Sequence, residues 1–133
     1  MDITEMTNGK RAALIEESEA WRRQLALLED ENIHFKTRLA GILRHDFRKD
    51  QLEQLEYFQN RFLKMDEQLS LLRHEVGEQL YLLSQAGMHQ NGQFKKVQDL
   101  QKRLEVKIII VHENFSKLST EFNGYLQEHF PLP

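Results

Sequence analysis

Glu31-Asn32-Ile33-His34 sets a carboxylate and an imidazole one helical turn apart, the E-x-x-H spacing with which di-iron bundles chelate metal inside their core. Such a centre needs a second copy of the motif and two further inward glutamates. At roughly 100° per residue, His34 also falls about 135° from the middle of the apolar stripe of its own segment. Neither condition is met, so no metal is expected here.

His74 and Glu78 give H-x-x-x-E, a spacing seen in hemerythrin-like bundles. Both face away from the apolar stripe of their segment, and a solvated pair is the expectation. His112 flanks a stripe, His129 sits on one near a chain end, and His45 and His89 belong to joins. The glycines at 9, 41, 77, 87, 92 and 124 are isolated rather than clustered as phosphate-cradling loops require. Ser18, Ser70, Ser84, Ser116 and Ser119 lack a nucleophile-elbow context, and there is no Cys to act as a nucleophile or thiolate ligand. The expectation is a protein without enzymatic activity and without a cofactor.

Charge narrows the partners. Lys and Arg number 18 against 21 Asp and Glu, for a net charge of −3, whereas nucleic-acid binders concentrate a basic excess on one face. Two basic clusters occur, Arg44-His45 with Arg48-Lys49 and Lys95-Lys96 with Lys102-Arg103. They read as helix C-terminal charge and a solvated face, and nucleic acid is not the expected partner. No stretch approaches the roughly 18 apolar residues that span a bilayer, which argues against a membrane partner. The absence of Cys fits a reducing, cytoplasmic interior.

These side chains hang on three long helices. From Asp50 to Ala86 the apolar residues Leu55, Phe58, Phe62, Met65, Leu69, Leu72 and Val76 step by three and four, which stacks them along one helical stripe. Leu80 and Leu83 are expected to continue it. A first helix is predicted over about 10–45, with a stripe of Leu14, Trp21, Leu25, Leu28, Asn32, Phe35, Leu39 and Ile42; Ser18 is a candidate cap for a later start. The phase is lost between Ile42 and Leu52, and Asp50-Gln51-Leu52-Glu53 has capping-box spacing. A break is the simplest account, with one continuous helix and a three-residue phase slip as the alternative. Gly87 suits a left-handed helix end and Asn91-Gly92 a turn. A third helix follows over about 93–128, striped by Val97, Gln101, Leu104, Ile108, Val111, Phe115, Leu118, Phe122 and Tyr125, and stopped by Pro131 and Pro133. The expected fold is all-α: one domain over 1–133, an antiparallel up-down-up bundle of three long helices with coiled-coil-like packing, a loop at 87–92 and a tail at 129–133.

Asn32 and Gln101 hold stripe positions that would otherwise be apolar, and are expected to reach water or neighbouring backbone at the core edge. The unusual run is Val106-Lys107-Ile108-Ile109-Ile110-Val111. Ile108 and Val111 belong to the stripe, but Val106, Ile109 and Ile110 project from the other side. With Leu27 and Ile33 on the first helix and Leu63 and Leu71 on the second, they are expected to form an apolar belt that docks a partner. A second copy is the commonest such partner. The competing reading is a buried stripe wide enough to take these residues in.

Glu56–Leu83 (EYFQNRFLKMDEQLSLLRHEVGEQLYLL) and Phe122–Phe130 (FNGYLQEHF) resemble a set of small helical, coiled-coil-like proteins of Bacteroidetes-type bacteria to which no activity is assigned. The resemblance implies a bacterial, cytoplasmic origin and no mechanism. The expected role is a non-enzymatic protein-interaction or structural module, self-associating as a homodimer. A bundle holding a metal or small ligand between its helices is the alternative.

Overall fold

The computed structural model describes residues 3–45, 47–85 and 92–132, with side chains from residue 8 onward. Of the described residues 94% are helical: α1 spans Ile3–His45, α2 Leu52–Ser84 and α3 Gln93–His129, with no strand among them. The three helices pack as an all-α antiparallel bundle. Contacts within the chain fix the directions. Near the start of α1, the Arg11 guanidinium donates to the Leu83 carbonyl at the end of α2. Near the end of α1, Arg38 donates to the Phe130 carbonyl just past α3, at 2.9 Å. So α2 runs opposite to α1, and α3 runs with it.

The ends of the elements refine the expectation. α1 begins at Ile3, several residues before the predicted start, and Ser18 is fully buried mid-helix rather than a cap. The chain does break after α1, so the continuous-helix alternative is excluded. Arg48 is extended (φ −91°, ψ 154°) and a 3-10 turn, Lys49–Gln51, leads into α2. Its reciprocal cap is made by Gln51, not by the Asp50/Glu53 pair. The Arg48 N–H donates to Gln51 Oε1 at 2.9 Å, and the Gln51 N–H donates back to the Arg48 carbonyl, also at 2.9 Å. The amide arm outcompetes Asp50, whose carboxylate lies in the turn and faces the Arg48 guanidinium at 3.3 Å. α2 stops at Ser84, two residues short of the predicted end, and the expected Gly87 cap and most of the 87–92 loop lie outside the described residues. Gly92 does take a left-handed φ of +72°, and its carbonyl accepts the first α3 bond, from Lys96 N–H at 3.3 Å. α3 runs to His129, after which Pro131 cannot continue it; Pro133 lies outside the described residues.

Contacts divide the chain into two compact units: one takes the chain up to Ala26 with Ser70–Ile109, the other Leu27–Leu69 with Ile110 onward. In the first unit the core is Trp21, Leu25, Leu72, Val76, Leu83, Val97, Leu104 and Ile108, with Leu14, Ile15 and Phe94 packed on Leu83 and Val97. The stripe of α2 continues through Gln79, fully buried, and leaves the expected Leu80 half-buried. The second unit is built on aromatic rings. Phe62 and Phe122 meet edge to face at 4.9 Å, Phe35 meets Phe122 the same way at 5.5 Å, and Phe58 lies 5.1 Å from Phe122. Edge-to-face pairs add to the apolar area they bury because a positive ring edge meets a negative face. Leu28, Leu39, Ile42, Leu55, Met65, Leu69, Val111, Phe115 and Leu118 complete this core.

Candidate interaction surface and the buried polar groups

Among the described residues, two clusters of buried polar side chains join helices, both on stripe positions. In the first unit Gln101, 3% exposed, binds all three helices. Its Oε1 accepts from Ser18 Oγ at 3.2 Å and from Gln79 Nε2 at 2.9 Å. Its Nε2 donates to the Leu14 carbonyl at 3.2 Å and to Glu17 Oε1 at 2.8 Å. Gln79 Nε2 also donates to the Val97 carbonyl at 2.9 Å, while its own Oε1 is buried without a partner. In the second unit Asn32, fully buried, donates to the Phe62 carbonyl at 3.2 Å and to Asp66 Oδ1 at 2.6 Å; the other Asp66 oxygen takes the Lys36 ammonium. Asn32 and Gln101 each reach the backbone of a neighbouring helix, as expected, but they do so from inside the core rather than at its edge, and each also bonds a side chain of another helix. Each amide is almost fully buried, and its N–H groups bond across to neighbouring helices.

These groups are amides, a hydroxyl and salt-bridged or exposed carboxylates. None is a poised nucleophile. Among the described residues no group of three or more His, Asp or Glu is placed to hold a metal. His34 is exposed, and His74 Nε2 lies 3.0 Å from Glu78 Oε1 with both side chains mostly in water. A shallow surface hollow of about 450 Å³ in the second unit is lined by Tyr57, Glu121, Tyr125 and Glu128 among others, with Tyr57 donating to Glu121 at 3.1 Å.

The seven residues expected to dock a partner are all half or more exposed: Leu27 68%, Ile33 52%, Leu63 50%, Leu71 59%, Val106 55%, Ile109 50% and Ile110 50%. Leu27 and Ile33 are six residues apart, about 120° around α1, and so lie on different faces. Leu63 and Leu71 are two turns apart along α2. Val106, Ile109 and Ile110 follow one another at i, i+3 and i+4 on α3. Leu71, Val106 and Ile109 belong to the first unit, and Leu27, Ile33, Leu63 and Ile110 to the second.

Sequence reasoning takes Ser18 for a candidate helix cap and passes over Gln79. Both carried the spacing signal, since Ser18 lies three residues before Trp21 and Gln79 three after Val76. Residue type hid them. It also passed over exposed Tyr57, Tyr81 and Leu82, at 40%, 64% and 42%, which no periodic pattern marks. Among the described residues no helix is long and apolar enough to cross a membrane. No family model, curated protein or solved structure matches the chain.

Proposed function

We propose that this chain is a non-enzymatic protein-interaction module that associates with itself through the outer face of α3. One observation carries the reading: Val106, Ile109 and Ile110, neighbours on one turn of helix, are each half exposed. A wider buried stripe would have taken them in, and it does not. Three adjacent large aliphatic side chains in water cost hydration free energy in proportion to their area, which a docked surface recovers. A homodimer is the simplest closed arrangement. Working in the cytoplasm accords with a chain free of Cys, and a bacterial origin rests on the sequence resemblance alone.

The test is molecular mass against concentration by sedimentation equilibrium. The parent is expected to move from monomer towards dimer as concentration rises, and the Ile109→Glu/Ile110→Glu variant to stay monomeric with unchanged helical circular dichroism. A parent that is strictly monomeric at high concentration would falsify the proposal.

A further inference from the structure

The outer face of α3 carries more than three aliphatic side chains. Asp99, Arg103, Val106, Ile110, Glu113 and Lys117 are all exposed and follow one another by four, three, four, three and four. That is the spacing of a second stripe, nearly opposite the buried one of Val97, Leu104, Ile108, Val111 and Phe115. Read backwards, its chemistry is the complement of itself: Asp99 corresponds to Lys117, Arg103 to Glu113, and Val106 to Ile110. Among the described residues none of the four charged side chains makes an ion pair within its own chain, although Asp99/Arg103 and Glu113/Lys117 are each spaced for one along the helix.

Resting on the self-association proposed above, we infer that two copies dock α3 against α3 in antiparallel order about a two-fold axis level with position 108. Val106 then faces the second copy's Ile110, Arg103 its Glu113 and Asp99 its Lys117, each contact occurring twice. Parallel docking in register would instead set every charge against its like. On one flank Ile109 meets its own counterpart across the axis. On the other, Lys107 approaches a second Lys107, but each is neutralised in its own chain by Glu75 at 3.0 Å. The stripe from Asp99 to Lys117 is about 27 Å long at 1.5 Å per residue, so the contact is a single helix-on-helix seam. That is small against a standard interface, and it makes a weak, reversible dimer whose rim charges set orientation more than affinity.

The experiment is a charge exchange. Arg103→Glu and Glu113→Arg are prepared separately, and each is measured by sedimentation alone and in an equimolar mixture. Each variant alone puts like charges together at two symmetry-related contacts, and is expected to associate roughly tenfold more weakly than the parent. In the mixture both contacts are complementary again, and association is expected to return to within about threefold of the parent, as a dimer of one chain of each kind. The positions are exposed, so the fold is retained, and circular dichroism verifies it. A mixture that associates no better than either variant overturns the antiparallel register. If the parent dimerises and Ile109→Glu/Ile110→Glu abolishes the dimer while the exchange has no effect, the register alone fails. If the parent never dimerises, the self-association reading fails with it.

Discussion

Tyr125 shows how a single side chain can be right for packing and wrong for solvation. Its ring lies 5.3 Å from Phe58 and 4.6 Å from His129, yet its hydroxyl is buried with no hydrogen-bond partner. Burial, and next the Asp50 carboxylate, push the phenol above its ordinary value, with Arg48 pulling it partly back. A raised folded value means that the unfolded chain ionises first as pH passes about 10, and stability is then lost until the folded value is passed. Tyr125→Phe removes both the unpaired hydroxyl and the titration. It is expected to be neutral or to stabilise by about 1 kcal/mol at pH 7, and to lose less stability than the parent between pH 9 and 11. Urea denaturation of both proteins across that range measures it; equal alkaline losses would show the hydroxyl to be solvated. Nothing in the sequence distinguished Tyr125 from the other stripe residues. Spacing said which side it faces, and the ring positions around it decide what its oxygen meets.

At the scale of the helices, spacing carried most of the information. The three-and-four rhythm of α2 placed Leu55, Phe58, Phe62, Met65, Leu69, Leu72 and Val76 in the core, and all are buried. The rhythm fails to separate an apolar neighbour from a polar residue in phase. That is why Leu80 was expected where Gln79 lies, and why the Gln101 cluster was not anticipated. Burial of an amide depends on partners from other helices, which one stripe cannot show. The cluster has a measurable consequence for how the helices align. Gln101→Leu strips Gln79 of an acceptor and Ser18 of its inter-helix partner while their polar atoms stay buried, and is expected to cost about 1–3 kcal/mol. Replacing all three, as Ser18→Ala/Gln79→Leu/Gln101→Leu, removes the orphaned groups together. It is expected to recover most of that loss, at the cost of weaker discrimination against shifted helix registers. Chemical denaturation of the single and triple variants decides the point. A single variant as stable as the parent would mean that water already serves these amides.

For the molecule as a whole, the question is what the outer faces are for, since the buried stripes already account for the bundle. A surface residue that supports nothing in its own chain changes stability by no more than about 0.5 kcal/mol when replaced. If it supports a second chain, its replacement removes the dependence of stability on concentration, because a dimer that binds only folded chains raises the unfolding midpoint by mass action. For a chain of 133 residues, the parent midpoint is therefore expected to rise by about 2–3 °C for each tenfold increase in concentration once dimer predominates. Ile109→Gln/Ile110→Gln, which keeps good helix formers and adds no charge, is expected to match the parent at the lowest concentration and to show no such rise. Differential scanning fluorimetry over three decades of concentration gives both slopes. A variant that melts well below the parent even at high dilution would place these isoleucines among the supports of the fold, and the outer face of α3 would then need no partner to explain it.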